Sequence, residues 1–553
     1  MEIADPVAPK RFAWIYPAIL LLSGIFFFIP FLGKVHLFDW DEINFAESAR
    51  EMIVTRNYHL VQINFQPFAE KPPLFFWLQA SSMKLFGVNE FAARFPNALF
   101  GIITLLTFYF IGKKHRSARF GFLWALCYLG TFLPHVYFKS AIIDPVFNYF
   151  IFMGIYLMFM DVAGHRWKHP LLYPTLAGLS IGLGTLTKGP VALLVFGLCF
   201  LVFFIFTRFR HFPSWKKVAG FTVAFILVCL LWFGPEIMQN GLWFLKEFIE
   251  VQAELFLTPV ASHGEPFYYH FVVVFVGCFP ISVIALPVIA GKFAVHTSKL
   301  RLLMKIIFWA VIILFSLSTT KIVHYSSLTY IPLAFLATVH LEYLLQTKKK
   351  MNTVLLIVLG IMGLVFSFLL TALPYVGNHP QLLIPYLEDP FAAASLQVNV
   401  QWNGFEPLIG ICYFFAVLIA IYFFSKMKNW TAMLVLFFST ACCLFIYLVT
   451  VVPKIEQFSQ GPAIRFYESQ QGKDVYIWPV GFRSYAHYFY AKKPVEPVYG
   501  EDDLPFLLTG DITRPAWFVV KITNKNFETK CDNCHLQYQE GGFKFYKREP
   551  IKK

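Results

Sequence analysis

The sequence predicts a polytopic α-helical membrane protein of about thirteen spans that ends in a small soluble α/β domain. Three observations carry this expectation. Of 553 residues, 58% are hydrophobic and only 14% charged, with 66 Phe and a mean hydropathy of +0.60. The apolar residues fall in runs of spanning length that are apolar all round, whereas the helices of a large soluble protein keep a polar face. Composition then breaks near residue 454, beyond which 15 basic and 12 acidic residues stand among short apolar runs.

The first run, 12–32, follows Lys10 and Arg11 and is not succeeded by a small-residue cleavage site, so it reads as an uncleaved signal anchor. The others lie at about 92–112, 118–136, 143–160, 171–186, 190–207, 218–235, 268–290, 302–318, 327–345, 353–374, 405–425 and 431–452. Basic residues orient them. Alternate connections hold twenty-one Lys and Arg, in clusters such as Lys113/Lys114/Arg116/Arg119 and Lys348/Lys349/Lys350. The opposite set, beyond the first loop, holds only Lys139, Lys188, Lys246 and Lys321. The excess of positive charge belongs to the cytoplasmic side. The N-terminus is therefore expected inside, with the first loop and the tail outside. The net charge of +14 reflects this topology and not a nucleic-acid partner.

The first outer loop, 34–91, concentrates charge: Asp39, Asp41, Glu42, Glu47, Glu51 and Glu70 with Arg50, Arg56, Lys71 and Lys84. Phe45, Ala49, Met52 and Ile53 share one helical face of 41–55, which predicts a helix lying on the membrane surface. After an extended 58–66, Pro72-Pro73 can open a second such helix through Leu85. In the tail, DVYIWPV, YAHYFYA, AWFVVKIT and FKFYKRE read as strands and 460–471 as a helix. We take 1–453 as the membrane domain and 454–553 as the soluble one.

Candidate chemistry gathers on the outer side. Asp41, in DWDE, could serve as a general base at the membrane boundary or simply cap the helix that follows. Asp144, in KSAIIDPVF, has the same two readings. Glu70-Lys71, Lys188 (LTKGP) and Lys321 (TTKIVHY) are isolated charges in apolar surroundings, which are costly near hydrocarbon and usually face a cavity. Converging lysines would suit a phosphate or pyrophosphate head; the alternative is that each snorkels to the interface. His263, His270 and His324 could ligate a metal with Glu70, but their spacing supports no metal geometry. Cys531-x-x-Cys534-His535 matches a haem-attachment string, but its flanks read as strands with no helix to seat a haem, so a loop disulfide is expected. No P-loop, dinucleotide fingerprint or H-E-x-x-H occurs.

DWDE, FAESAREM, FAEKPPLFFWLQ and LFGVNEFAARFPNALFG, with the later KSAIIDPVFNYF, GLGTLTKGPVALL, SHGEPFYYHFVV and STTKIVHYSSLTYIPLAFL, resemble the GT-C membrane glycosyltransferases over about residues 35–345. The branch most resembled contains the lipid A aminoarabinose transferases and, more distantly, the protein O-mannosyltransferases. The resemblance implies a multi-pass enzyme of the bacterial plasma membrane, working at its outer face. It would move a sugar, with inversion, from a polyprenyl-phosphate carrier to a lipid, glycan or protein acceptor. It further implies that Asp41 and Asp144 are catalytic, that Lys71 holds the carrier phosphate, and that Glu70 and His263 are ligands of a divalent metal such as zinc; Glu42, Lys188 and Lys321 are expected to join Lys71 in binding substrate. Asn44 departs from the branch, which has an arginine there. A secondary transporter or lipid flippase would have similar hydropathy. It would, however, place ionisable residues within the spans, whereas here they cluster at outer ends. A non-catalytic scaffold would leave that cluster unexplained.

Overall fold

All thirteen apolar runs are helical. The computed structural model describes residues 14–68, 70–165, 169–257, 264–291, 298–494 and 504–550. Within these, eight helices are long and apolar enough to cross a membrane, and the pair Tyr269–Gly277 and Ile281–Ile289 makes a ninth crossing if it is one span. Four shorter apolar helices account for the remaining runs: Ile15–Phe28, Ala118–Leu129, Leu172–Lys188 and Val191–Phe206. The run 268–290, expected as one straight span, bends by 119°. Pro280 heads its second half, where a missing N–H and a bulky ring interrupt the helical ladder. Close packing relies on small residues. A Cβ on Gly121 would lie 2.3 Å from the carbonyl oxygen of Tyr109, so Glu90–His115 and Ala118–Leu129 meet at a distance only glycine permits.

The first outer loop forms both expected helices, Asp41–Thr55 and Leu74–Phe86, with a short antiparallel pair, Gln62–Ile63 and Gln66–Pro67, between them. The first of these differs from expectation in its surroundings. Every residue from Glu42 to Met52 is buried, including the ionisable Glu42, Glu47, Arg50 and Glu51. A surface helix would leave its polar face wet, but here that face is covered as well. Phe45 and Met52 pack against Phe75, Phe76 and Val146, while Ile43, Ala46 and Ala49 share a core with Ala463, Phe466 and Phe489 of the tail. The charges are satisfied internally. Arg50 holds both oxygens of Glu47 at 2.7 Å, and Glu51 accepts the backbone N–H groups of Asn64 and Phe65 at 2.7 and 2.8 Å.

In the tail, strand Tyr476–Val480 runs parallel to Ala516–Lys521, which pairs antiparallel with Phe543–Arg548, and this in turn with Cys534–Glu540. Alternation places Phe518, Val520 and Tyr546 on one face, with Leu507 and Phe527. Val519 and Phe545 lie on the other, against helix Gly461–Ser469 and the first loop. The segment YAHYFYA, read from sequence as a strand, is instead the short helix Ala486–Tyr490. Seven residues of continuous apolar character do not distinguish strand from helix by period, and the tertiary packing decides it. Cys531 and Cys534 form a disulfide, as expected of that loop.

Candidate active site

Two helix beginnings and one helix end meet beneath the first loop. Asp41 is the first residue of Asp41–Thr55, and Asp144 the first of Asp144–Val162, each adding negative charge where the helix dipole is positive. Neither helix is capped by a side-chain hydrogen bond, so both carboxylates are directed elsewhere. Lys188 ends Leu172–Lys188, where a cation suits the dipole, and Gly189 turns the chain away at φ 103°, a value a side chain would strain. Its Nζ donates to Asp144 Oδ1 at 2.7 Å and lies 4.9 Å from the centre of the Tyr325 ring.

Asp144 Oδ2 is buried without a hydrogen-bond partner. Facing it, at 3.7 Å, is His324 Nε2, which also stands 3.6 Å from Asp41 Oδ2. One imidazole thus lies between two carboxylates that differ in access: the Asp41 side chain is 33% exposed, that of Asp144 only 3%. Asp41 and His324, with Lys71 and Lys188, border a cavity of about 140 Å³, and Asp144 stands against Lys188 and His324 of its wall; the space suits a small polar head group and not a whole ligand of drug size. Lys71 stands immediately before Pro72-Pro73, beside Glu70 at 3.8 Å. Burial, with the charge of Lys188 nearby, holds its ammonium below the usual lysine range despite Glu70. An anion entering the cavity would relieve that penalty.

Asn44 also lines the cavity. With its amide oriented to suit its neighbours, it accepts from Trp40 Nε1 at 2.9 Å and donates to the Trp40 carbonyl at 3.0 Å. It thereby fixes the indole wall but contributes no cation. Trp40 in turn packs on Tyr485, with ring centres 5.2 Å apart, so the tail helps to form this wall.

Four residues expected at the site from sequence, Asp41, Asp144, Lys71 and Lys188, are brought together from four distant segments, and Glu70 joins them at the rim. Two others are placed elsewhere. Glu42, expected to bind substrate, points away from the cavity. Its Oε1 accepts from Arg94 Nε at 2.9 Å and from the Ala141 N–H at 2.5 Å, and its Oε2 from Arg94 Nη2 at 2.7 Å and from the Phe38 N–H at 2.9 Å. Both oxygens are fully engaged, which makes Glu42 a structural anchor. Lys321 is buried and donates to the Ser318 carbonyl at 2.7 Å, while its neighbours Thr320, Ile322 and His324 border the cavity. His324 occupies the place the sequence reading gave to Lys321. The signal was present in TTKIVHY, but it is the later residue, in the 3₁₀ helix Val323–Thr329, that lines the cavity. His263 lies outside the described residues. Among the described residues, Glu70 is not part of any trio of His, Cys, Asp or Glu placed to share an ion, so the expected zinc site has a single described ligand.

Residues 70–232 match the family model described as dolichyl-phosphate-mannose-protein mannosyltransferase. The crystal structure of ArnT from Cupriavidus metallidurans bound to undecaprenyl phosphate aligns with 98% of this chain and 98% of its own, at a TM-score of 0.76 and 18% identity. The chain thus has the polytopic membrane fold of ArnT, and proteins it matches in sequence are named as arabinosyl and mannosyl transferases. Its relatives include the undecaprenyl phosphate-α-4-amino-4-deoxy-L-arabinose arabinosyl transferase of Pseudomonas aeruginosa (strain LESB58), 27% identical over 68% of this chain and 67% of that protein. The enzyme of the same name from Wigglesworthia glossinidia brevipalpis is 23% identical over 71% of this chain and 73% of its own.

Proposed function

We propose that the protein transfers a sugar from a polyprenyl-phosphate carrier to a hydroxyl of a lipid, glycan or protein acceptor at the outer face of a bacterial plasma membrane. The observation that carries this is the convergence of Asp41, Lys71 and Lys188 on one small cavity, with Asp144 held against Lys188 in its wall. Asp41, the more open carboxylate, takes the proton of the acceptor hydroxyl as its oxygen attacks the anomeric carbon. The bond from that carbon to the phosphate oxygen breaks, its electron pair stays on the lipid phosphate, and a single displacement inverts the centre. Lys71 and Lys188 stabilise the charge that develops on the leaving phosphate. Asp144, held by Lys188, keeps that ammonium in place. His324, between the carboxylates, orients Asp41. No step is assigned to a metal ion.

The basic-residue alternation supports an orientation with the N-terminus in the cytoplasm and the cavity and tail outside. In this reading 454–553 is an extracytoplasmic domain that closes the wall of the site through Tyr485.

Asp41→Asn tests the assignment. With a defined polyprenyl-phosphate sugar and an envelope extract as acceptor, transfer should fall by ~10²–10⁴-fold, with yield and thermal midpoint in detergent unchanged. Transfer at the wild-type rate would remove Asp41 as the base. An unaltered envelope glycan profile in a deletion strain, beside a transport defect, would remove the transferase reading itself.

A further inference from the structure

A second cluster of ligand-bearing side chains lies at the seam between tail and membrane helices, and the proposed transfer makes no use of it. His36 follows the first helix, Glu90 opens Glu90–His115, and Glu468 sits on Gly461–Ser469 of the tail. One ligand atom from each lies within 4.8 Å of the other two. We propose that His36, Glu90 and Glu468 bind a divalent transition-metal ion, zinc being the best fit to one imidazole and two carboxylates, and that this ion fastens the tail to the membrane helices.

The imidazole is set for such a role. Its Nδ1 hydrogen-bonds Glu456 Oε1 at 3.1 Å, and Glu456 is almost fully buried. A buried carboxylate accepts the Nδ1 proton, which leaves the Nε2 lone pair for a ligand, the arrangement that commonly orients a metal-binding histidine. Nε2 points toward Glu468, whose Oε1 is 3.8 Å away. A simple ion pair between His36 and Glu468 would account for these two residues but not for Glu90. Glu90 is brought to the same point and, among the described residues, forms no hydrogen bond or close ion pair, meeting His36 and Arg94 only by attraction at longer range.

Charge argues the same way. Three carboxylates, Glu90, Glu456 and Glu468, surround one imidazole that carries at most a single positive charge. The nearby guanidinium groups form their ion pairs elsewhere, Arg94 with Glu42 and Arg465 with Glu540, and reach Glu90 and Glu468 only by attraction at longer range. A divalent cation would balance the excess. Zinc–ligand bonds of ~2 Å in a tetrahedral site place ligand atoms roughly 3.3 Å apart. The cluster would have to contract by an ångström or so, which its partly exposed side chains can do. Water can supply the fourth ligand, because the Glu468 side chain is 42% exposed.

The test uses the full chain purified in detergent, stripped with chelator, equilibrated with buffered zinc and assayed for bound metal. Glu90→Gln and Glu468→Gln should each bind one zinc equivalent fewer than wild type. Zinc should raise the thermal midpoint of wild type and leave theirs unmoved. Glu70→Gln, which would remove a metal at the catalytic cavity, should keep this equivalent and the zinc-induced rise. X-ray absorption should find a single imidazole among oxygen ligands. His36→Gln is the less informative variant because it also disturbs Glu456, so the two glutamate variants decide. Equal zinc content in wild type and both variants overturns the proposal, as does binding of calcium or magnesium without zinc.

Discussion

Glu42 neighbours the proposed base but is fully occupied by structural contacts, which makes it a demanding test of the site as drawn. Glu42→Gln removes the charge that faces Arg94. Arg94 is buried and, besides Glu42, donates to the carbonyls of Leu32, Val35 and His36 at 2.6–2.9 Å. Burial alone would push the Glu42 carboxyl up, but Arg94 and the Phe38 and Ala141 N–H groups outweigh it and hold Glu42 below the usual carboxylate range. Removing one member of a buried pair typically costs about 3–5 kcal/mol, because the other charge is left uncompensated. That corresponds to a loss of roughly two to four powers of ten in the ratio of folded to unfolded protein. The pair also joins the end of the first span, the start of Asp41–Thr55 and the turn before Asp144. Residual activity should therefore fall through kcat, since an error of ~1 Å in Asp41 can cost on the order of 10²-fold. The donor KM should stay near wild type. Thermal unfolding in detergent and steady-state transfer supply both readings, and a cycle of Glu42→Leu, Arg94→Leu and the double Glu42→Leu/Arg94→Leu isolates the coupling. A Glu42→Gln protein with the wild-type thermal midpoint and a raised donor KM would refute the structural role and return Glu42 to the substrate.

Two further outcomes follow from groups with displaced proton affinity. Lys71 is held below the usual lysine range, so donor affinity should weaken as pH rises toward, but before reaching, ordinary lysine values; titration of donor KM in wild type and Lys71→Gln checks this, and the same alkaline loss in the variant would exclude Lys71 as its source. Glu51 is pushed up to about 8 by burial, with Glu47 beside it adding to the effect. In the unfolded chain it would release its proton near the ordinary glutamate value while the folded chain keeps it. Stability should therefore fall as pH rises from about 4.5 to about 8 and level off above. Glu51→Gln should flatten that slope in a thermal-midpoint series, and an unchanged slope would assign the dependence to another group.

The sequence by itself determined the class of architecture, and its basic residues set an expectation of sidedness. Spanning runs announce themselves because a bilayer demands some twenty apolar residues for each crossing, and every such run is helical here. Asp41, Lys71, Asp144 and Lys188 were legible for a related reason. Charge at the apolar ends of spans needs a cavity or a partner, so position alone marks it. The burial of Asp41–Thr55 was not legible, because its polar face reads as solvated until the tail, some four hundred residues later, is known to cover it. The exchange of Lys321 for His324 rests on one 3₁₀ turn, and the helix at Ala486–Tyr490 on packing that overrides an ambiguous local pattern. The split between Asp41 and its neighbour Glu42 depends on Arg94 and the Ala141 backbone, partners about fifty and one hundred residues away. Contacts at such separations leave no periodic trace in the chain, so only the tertiary structure decides which of two adjacent carboxylates faces the cavity and which holds the fold together.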